Sequence, residues 1–364
     1  MLFLKCVYPA MNLFMALMGV FAWFAVAAVA ADAGTMKVVE SRMIWSEAPH
    51  NAFTDLHRQQ DRWYCTFREG AAHVSPDGSV RILASDDGRE WRSMARLAVP
   101  WADLRDPKLT ETPDGRMLLT AGALLHEAKD GCTNRSLAWL SKDGKEWDGP
   151  HEIGEPNIWM WSCERQGDTL YSFGYFKIWP SLNKGGRTKE TSPQTPGEKL
   201  IRLYRSQDGL KWTPITSQSY EGRYINETAI TFQPNGRMIA MTRRDNGPEP
   251  RVARIGVSMP PYTEWTWRDG NHRLNGPAMC TLPDGRIVAG ARWKVGPEHT
   301  RMGWVDAETG VVTPALMLPS TPETGYPSIV PHQGRLYVSY YASQDGKPSI
   351  YFAVVSVSSA SGAR

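Results

Sequence analysis

Three seven-residue segments of this chain are near copies of one another. They read SDDGREW at Ser85–Trp91, SKDGKEW at Ser141–Trp147 and SQDGLKW at Ser206–Trp212, so all three share the pattern Ser-x-Asp-Gly-x-x-Trp. A fixed pattern that recurs at intervals of 56 and 65 residues indicates an array of similar supersecondary units that pack against their neighbours. The chain is therefore constrained to a repeat architecture before any single residue is interpreted.

A second repeat alternates with the first. Each copy has a turn followed by an apolar run, and most copies have an Arg between the two. Its glycine supplies the positive φ that a tight hairpin needs, and the residues that follow it are those of a returning strand. Four clear copies and two weaker ones occur: TPDGRMLL (Thr112–Leu119), QPNGRMIA (Gln233–Ala240), LPDGRIVA (Leu282–Ala289), PHQGRLYV (Pro331–Val338), RQGDTLYS (Arg165–Ser172) and RQQDRWYC (Arg58–Cys65). The repeat thus predicts six units.

Each unit contains four strands, because one hairpin carries the PDGR-type turn and a second carries the Ser-x-Asp-Gly-x-x-Trp turn. Four strands at a period near 50 residues are typical of a propeller blade. The sequence therefore predicts an all-β protein, a six-bladed β-propeller with four-stranded antiparallel blades over residues 37–358. The segment Lys37–Trp45 has no hairpin partner of its own, so we expect it to complete the last blade and close the ring.

The N-terminus differs from the rest of the chain. Lys5 precedes an apolar run from Ala10 to Ala31, and Ala28-Val29-Ala30 resembles a signal cleavage site. We interpret residues 1–31 as a signal peptide or, if uncleaved, a signal anchor, since the run is long enough to span a bilayer. The protein is expected to be exported to the periplasm or the extracellular space, with membrane attachment only if the segment is retained.

Composition excludes several other classes of protein. The formal charge is +3 over 364 residues and no basic stripe is present, so nucleic acid is not an expected partner. The four cysteines after the N-terminal segment are scattered, without a C-x-x-C pair, which argues against a zinc site and favours buried free thiols. They are Cys65, Cys132, Cys163 and Cys280. We expect no cofactor and no metal.

Polar residues open the first strand of each unit, and in a propeller these positions meet at the central axis. They are His50-Asn51, Arg105-Asp106, Trp161, Asn226-Glu227, Asn275-Gly276 and Gly325-Tyr326. The second strands end on the same face and add Arg68-Glu69, His126, Arg243-Arg244-Asp245 and Arg292, and the loop after one of them adds His73 and Asp77. The polar insertion Ser181–Lys199, with Trp179 before it, is predicted to form a lid over this face.

The repeated Ser-x-Asp-Gly-x-x-Trp turns resemble the Asp boxes, or BNR repeats, of the sialidase (neuraminidase) superfamily of six-bladed propellers. This resemblance covers essentially the whole chain after the N-terminal segment. It implies that Tyr326 is a nucleophile, that Glu227 is the base that accepts its phenolic proton, and that Arg243 and Arg292 bind a substrate carboxylate. A tyrosine nucleophile suits an anionic sugar, since a neutral phenol is not repelled by the substrate carboxylate. A guanidinium fork matches the two carboxylate oxygens.

Two positions depart from the family pattern. The segment HNAFTDL places His50 or Asn51 where the first carboxylate-binding Arg is expected, and His73 stands near the position of the acid/base Asp. Asp77 lies four residues later and is an alternative acid/base. Further candidate contacts to substrate are Arg68, Arg105, Asp106 and Arg244.

Three functions remain open from the sequence. The first is an exo-acting glycoside hydrolase of sialidase type that releases a terminal acidic sugar. The second is a uronate lyase on the same scaffold, in which His50, His73 or Tyr326 abstracts the proton next to the carboxylate and an Arg stabilises the enolate. The third is a sugar-binding propeller without catalysis. All three predict a glycan or acidic sugar as the partner, and the sequence leaves sugar, linkage and oligomeric state undefined.

Overall fold

The structure, a computed structural model, describes residues 34–176, 200–215, 220–221, 225–244 and 250–358. The predicted signal segment and the predicted lid at 181–199 lie outside these residues. Within them every regular element is a β-strand. None of the described elements is a helix with the length and hydropathy needed to cross a membrane.

The strands form six antiparallel sheets arranged as the blades of a propeller, which confirms the predicted fold. The first blade comprises β2 (His50–Gln59), β3 (Arg62–Gly70), β4 (Ser79–Ser85) and β5 (Arg92–Leu97), and the second comprises β6 (Ala102–Glu111), β7 (Met117–Lys129), β8 (Cys132–Ser141) and β9 (Asp148–Ile153). The third comprises β10 (Ile158–Gln166), β11 (Thr169–Phe176), β12 (Leu200–Ser206) and β13 (Thr213–Pro214), and β14 (Tyr220–Glu221) also pairs with β12. The fourth blade comprises β15 (Ile225–Phe232), β16 (Met238–Arg244), β17 (Arg254–Ser258) and β18 (Thr266–Asp269), and the fifth comprises β19 (Leu274–Thr281), β20 (Ile287–Trp293), β21 (His299–Val305) and β22 (Val312–Met317). The sixth comprises β23 (Gly325–His332), β24 (Arg335–Ala342), β25 (Ser349–Val357) and β1 (Met36–Trp45).

The ring is closed by pairing the two ends of the described chain. Strand β1 runs antiparallel to β25, with Met36 opposite Val357 and Met43 opposite Tyr351. The first segment therefore supplies the outer strand of the last blade, as its lack of a hairpin partner predicted. This pairing gives the last blade four strands, the same number as in the two blades next to it.

The Ser-x-Asp-Gly-x-x-Trp segments form the turns between the third and fourth strands of their blades. In the first copy Asp87 Oδ1 accepts hydrogen bonds from the Arg89 and Glu90 N–H groups at 2.7 and 3.0 Å, and Ser85 Oγ accepts one from Gly88 N at 2.8 Å. The Trp91 indole donates to the Gly88 carbonyl at 3.2 Å. The other two copies make the same contacts. Their side chains thus fix the turns.

Every first strand carries a bulge near the axis. The register shifts fall at Ala52/Asp55, Arg105/Lys108, Met160/Cys163, Ile225/Thr228, Asn275/Ala278 and Gly325/Ser328. Three non-glycine residues inside these bulges, Phe53, Asp106 and Tyr326, have φ of 62°, 50° and 49°, in the left-handed region that such residues rarely adopt. A bulge changes the direction in which a side chain points, and here a bulge occurs in the first strand of each of the six blades around the axis.

A cavity of about 450 Å³ lies around the axis and is lined by the first strands of all six blades. Its lining includes His57, Glu164 and an ion pair between Asp55 and Lys108, whose charged atoms are 3.6 Å apart. Burial raises the pKa of Asp55, and enclosure within the cavity raises that of Glu164 although its side chain is exposed to the cavity.

The hydrophobic core is divided among the blades and packs them against one another. Trp159, Trp161 and Trp293 are among the largest fully buried side chains, so much of the tryptophan content serves packing. The four cysteines of the described chain are buried and free, as the sequence predicted.

Candidate active site

Three side chains from two blades form a closed triangle of hydrogen bonds. The Tyr326 hydroxyl donates to Glu227 Oε1 at 2.8 Å. Arg243 Nη1 donates to the same Glu227 oxygen at 2.7 Å and to Tyr326 Oη at 3.0 Å. The second Glu227 oxygen accepts the Gly276 N–H at 2.9 Å, which fixes the carboxylate from a fourth strand. This geometry allows Glu227 to accept the phenolic proton.

The ring of Tyr326 is held by close aromatic packing. Its centroid lies 4.8 Å from that of Phe53 and 5.7 Å from that of Trp161. The bulge glycine of the neighbouring blade is needed for this fit, because a Cβ added at Gly276 would lie 2.7 Å from Tyr326 Cγ. The guanidinium of Arg292 lies over the ring, 5.6 Å from its centroid.

The electrostatics of the phenol depend mainly on its burial. Burial, and then the charge of Glu227, raise the pKa of Tyr326 well above its ordinary value, and Arg243 and Arg292 act in the opposite direction. The phenol is therefore neutral at physiological pH. It can act as a nucleophile only when a base removes its proton, and Glu227 is the carboxylate in contact.

Arg292 completes the cationic side of the site. Its Nη1 donates to the Tyr341 hydroxyl and to the Thr324 carbonyl, both at 3.4 Å. Its Nε lies 3.5 Å from Glu298 Oε2. Arg243 and Arg292 thus flank one phenol from two blades, and between them an anion would meet two guanidinium groups.

A second cluster lies beside Phe53 and consists of two histidines and a glutamate. His50 Nε2 is 2.9 Å and His73 Nδ1 is 3.7 Å from Glu323 Oε1. The two imidazoles meet edge to face with centroids 5.3 Å apart, and Phe53 contacts His73 at 5.3 Å. Phe53 therefore connects this cluster to Tyr326. Burial is the main cause that lowers the pKa of both histidines, so both rings are neutral at physiological pH.

Arg68, a predicted substrate contact, has no exposed surface. Its Nε donates to Asp103 Oδ1 at 2.7 Å, and its other nitrogens donate to the Ala72 carbonyl at 2.8 Å and to Ser75 Oγ at 3.0 Å. This places Arg68 inside the loop that carries His73. Its observed contacts support that loop.

Arg105 also supports the His73 loop. Its Nη1 donates to the His73 carbonyl at 2.7 Å and to Asp103 Oδ2 at 3.2 Å, so one aspartate pairs with two arginines. The guanidinium of Arg105 lies 4.8 Å from the centroid of Phe53, which keeps it at the edge of the site. Asp106, the next residue, occupies the bulge of its strand in the way that Tyr326 occupies its own.

Asp77 closes the same loop. Both of its carboxylate oxygens accept the Ala71 N–H, at 3.1 and 3.0 Å. Partial burial would raise the pKa of Asp77, but the hydrogen bonds from Ser75 and from the Ala71 amide outweigh it and lower that pKa. A carboxyl with a lowered pKa is a poor proton donor at neutral pH.

Two further candidates point elsewhere. The Asn51 amide is fully buried and donates to the carbonyls of Ala48 and Pro348, both at 2.9 Å. Arg244 donates to the Pro250 carbonyl at 3.2 Å and lies 3.8 Å from Asp269, which belongs to the outermost strand of its blade. The structure therefore brings together Tyr326, Glu227, Arg243 and Arg292, with His50 and His73 nearby, and directs these two side chains away.

Sequence reasoning missed two residues of this face. Glu323, which joins the two histidines, lies in a polar loop (TPET) with no repeat or motif to mark it. Phe53 lies in HNAFTDL and reads as an ordinary strand residue, although its positive φ turns it between His73 and Tyr326. Only the six-fold recurrence of the bulge would have indicated Phe53.

No protein-family model and no curated protein matches this sequence. Solved structures do match. A protein of unknown function from Dyadobacter fermentans superposes with a TM-score of 0.73 at 19% identity, covering 89% of this chain and 100% of the other. An α-L-arabinanase of Penicillium chrysogenum complexed with arabinobiose gives 0.63 at 14%, covering 87% and 98%. The sialidase of Trypanosoma rangeli in complex with the inhibitor DANA gives 0.60 at 12%, covering 84% of this chain and 55% of the longer sialidase.

These similarities define the class of fold. The chain is a six-bladed propeller and shares its fold with the arabinanase and the sialidase, as the resemblance of its turns predicted. At these levels of identity the likeness extends to the fold, and the chemistry must be argued from the site itself.

Proposed function

We propose that this protein is an exo-acting glycoside hydrolase of sialidase type that removes a terminal acidic sugar from a glycan. The observation that carries this proposal is the triangle of Tyr326, Glu227 and Arg243, in which a buried phenol donates to a carboxylate at 2.8 Å. Proteins of the same fold include an arabinanase complexed with arabinobiose and a sialidase bound to an inhibitor. The fold is thus used elsewhere for cleaving sugars.

The proposed reaction follows from the contacts of Tyr326. Its oxygen attacks the anomeric carbon while its proton passes to Glu227, and the bond to the leaving-group oxygen breaks as that oxygen receives a proton. Water then attacks the tyrosyl-linked sugar and restores the phenol. A neutral phenol is suited to an anomeric carbon that carries a carboxylate, which would repel an anionic nucleophile. Neither sequence-predicted acid/base residue carries an acidic proton at neutral pH, because the His73 ring is neutral and the pKa of Asp77 is lowered, so the leaving-group proton is assigned to solvent water.

Recognition of the acidic group is assigned to Arg243 and Arg292. Both lie against Tyr326, one in contact with its oxygen at 3.0 Å and the other over its ring. Two guanidinium groups on adjacent blades can hold the two oxygens of a carboxylate next to the reacting carbon. A neutral terminal sugar would leave these donors without an anionic partner, so we expect it to be a poor substrate.

The test is release of free sialic acid from an α-sialoside by the wild-type protein and by Tyr326→Phe. Removal of the hydroxyl should lower kcat/KM by at least ~10³-fold, because it removes the atom that forms the proposed covalent bond. Tyr341→Phe is the matched control, since it removes a buried hydroxyl that contacts Arg292 at 3.4 Å and should retain most activity. Equal rates for Tyr326→Phe and the wild type would contradict the proposal.

A uronate lyase is the second candidate, and the observation that favours it is the pair of neutral histidines beside Phe53. A neutral imidazole can abstract the proton next to a uronate carboxylate, and Arg292 can stabilise the enolate. The test is the ultraviolet absorbance of an unsaturated uronate formed from a uronate glycan. Absence of both products, with binding of an acidic sugar retained, would indicate a non-catalytic propeller.

A further inference from the structure

Three metal-ligating atoms from three separate segments converge on one point of the candidate site. They are Nε2 of His50 at the start of β2, Nδ1 of His73 in the loop after β3, and Oε1 of Glu323 in the loop before β23. The carboxylate oxygen is 2.9 Å from the first nitrogen and 3.7 Å from the second, and all three atoms lie within 4.8 Å of one another.

The two distances from the Glu323 oxygen are close to those within a small coordination sphere. Ligands about 2.0–2.1 Å from zinc at the corners of a tetrahedron are roughly 3.3 Å apart, which lies between the two distances observed here. Two imidazoles and one carboxylate with an open fourth position is a ligand set of catalytic zinc sites. We propose that His50, His73 and Glu323 bind one divalent transition-metal ion, with zinc the best fit, and leave a coordination position open toward the substrate pocket.

Accessibility of the ligands supports entry of an ion from solvent. The His50 side chain is only 6% exposed, whereas those of His73 and Glu323 are 40% and 44% exposed. The buried imidazole is packed against the rings of Phe53 and Tyr341, with centroids 6.3 and 6.4 Å away. One ligand is thus fixed at the base of the site and the other two border its opening.

The two exposed ligands are held by the backbone around them. The His73 carbonyl accepts a hydrogen bond from Arg105, and the turn on either side of it is bonded to the buried Arg68. Glu323 has φ of 63°, a left-handed conformation that non-glycine residues rarely adopt. Such strain persists where surrounding structure fixes it, and at this position it directs a carboxylate toward two histidines.

The charges around the cluster favour a transition metal over calcium or magnesium. The positive charges of Arg105, Arg292 and Arg68 oppose a further positive charge at His73, and the carboxylates paired with these arginines are Asp103 and Glu298. Long-range attraction for a cation is therefore weak, and the ion must be held by direct ligation. Calcium and magnesium depend on several carboxylate oxygens, whereas imidazole nitrogens select zinc and its neighbours.

A metal here would also explain the two departures from the sialidase pattern, and this consequence rests on the proposed function. His50 or Asn51 stands where the first carboxylate-binding Arg is expected, so an ion bound to His50 would restore a positive charge at that place. With His73 bound to the ion, a metal-bound water, which has a pKa of about 7, would be the solvent molecule that donates the proton where the pattern has an Asp.

The experiment is direct metal binding to the purified chain without a histidine tag, after treatment with a chelator. Isothermal titration with Zn²⁺, the visible absorption of bound Co²⁺ and elemental analysis each give the stoichiometry without substrate. We expect one ion per chain, with binding weakened at least ~10-fold in His73→Ala and in Glu323→Gln. The control is His151→Ala, which removes an exposed histidine whose Nε2 is 3.1 Å from Asp148.

Unchanged Zn²⁺ affinity in both cluster variants, or no binding by the wild type, would overturn the metal site. His73 lies on an exposed loop, so His73→Ala is expected to fold, and its melting transition checks this. Hydrolysis of an α-sialoside is measured separately on the metal-free and the Zn²⁺-loaded protein. Zinc binding without hydrolysis would reject the proposed function alone, and hydrolysis without zinc binding would reject the metal site alone.

Discussion

The Tyr326 hydroxyl and the Glu227 carboxylate are 99 residues apart in sequence and 2.8 Å apart in the structure. They meet because each lies at the bulge of a first strand, and all first strands approach the axis at the same depth. The bulge of the blade between them supplies Gly276, whose N–H fixes the second carboxylate oxygen. The contact between the phenol and its base therefore depends on the repeated bulges of the first strands as well as on the two side chains.

Gly276→Ala tests whether this bulge positions the phenol. The new Cβ would lie 2.7 Å from the Tyr326 ring, so the ring must move away from Glu227. We expect kcat/KM to fall by about 10–100-fold. The control is Gly285→Ala in the same blade, which also has a positive φ but no atom within 4 Å of the new Cβ. Both variants should lose about 1–2 kcal/mol of stability from backbone strain, so only the difference in activity reports on the ring. Equal activities would argue against positioning by the glycine.

Arg243→Lys and Arg244→Lys compare adjacent residues on opposite faces of one strand. Arg243 contacts both Glu227 and Tyr326, and a lysine ammonium cannot reproduce a planar fork. We expect kcat/KM for an acidic substrate to fall about 100-fold. Arg244 contacts Pro250 and Asp269, so its lysine variant should stay within a factor of about two of the wild type. Initial-rate kinetics on one acidic glycoside separate the two. A larger loss for Arg244→Lys would mean that the assignment of the two arginines is wrong.

Much of the fold was predictable because it repeats. The spacing of the glycine turns gave the number of blades, and the unpaired segment Lys37–Trp45 indicated how the ring closes. The convergence of Tyr326, Glu227, Arg243 and Arg292 followed from the order of strands within each blade.

Other parts of the site were not predictable from such patterns. Arg68 is a supporting residue because Asp103, one blade away, lies 2.7 Å from its Nε, a distance set by the packing of two blades. Glu323 meets His50 and His73 because a loop with a left-handed residue turns back over the first blade. Neither set of contacts follows the repeat in the sequence, because one depends on a single pair of side chains and the other on a single loop.

Asp208→Ala tests whether the most conspicuous motif is structural. Asp208 Oδ1 accepts two backbone N–H groups at 2.9 and 2.8 Å, as an N-cap side chain does. Its removal should lower the free energy of unfolding by about 1 kcal/mol, measured by denaturant titration. Activity at a temperature where both proteins are folded should not change, because these turns lie at the opposite ends of the strands from Tyr326. A loss of activity without a loss of stability would contradict this interpretation.

His57 should make the protein sensitive to mild acid. It lines the axial cavity, its Nε2 is buried, and burial lowers its pKa to about 4. In the unfolded chain its pKa is about 6.5, so between pH 6.5 and pH 4 the unfolded state binds more protons than the folded state. Stability is therefore fully present above pH 6.5 and falls as the pH drops, by on the order of 2–3 kcal/mol at pH 4 from this residue.

The measurement is the free energy of unfolding of the wild type and of His57→Gln at several values between pH 7.5 and pH 4. The variant has no imidazole to protonate in the unfolded state, so its stability should fall less over this range. Asp55 and Glu164 line the same cavity with raised pKa values and contribute in the opposite direction, because stability from a raised carboxyl pKa is lost as the pH rises. They are present in both proteins, so the difference between the two curves isolates His57. Parallel curves would show that His57 has the same pKa in the folded and unfolded states.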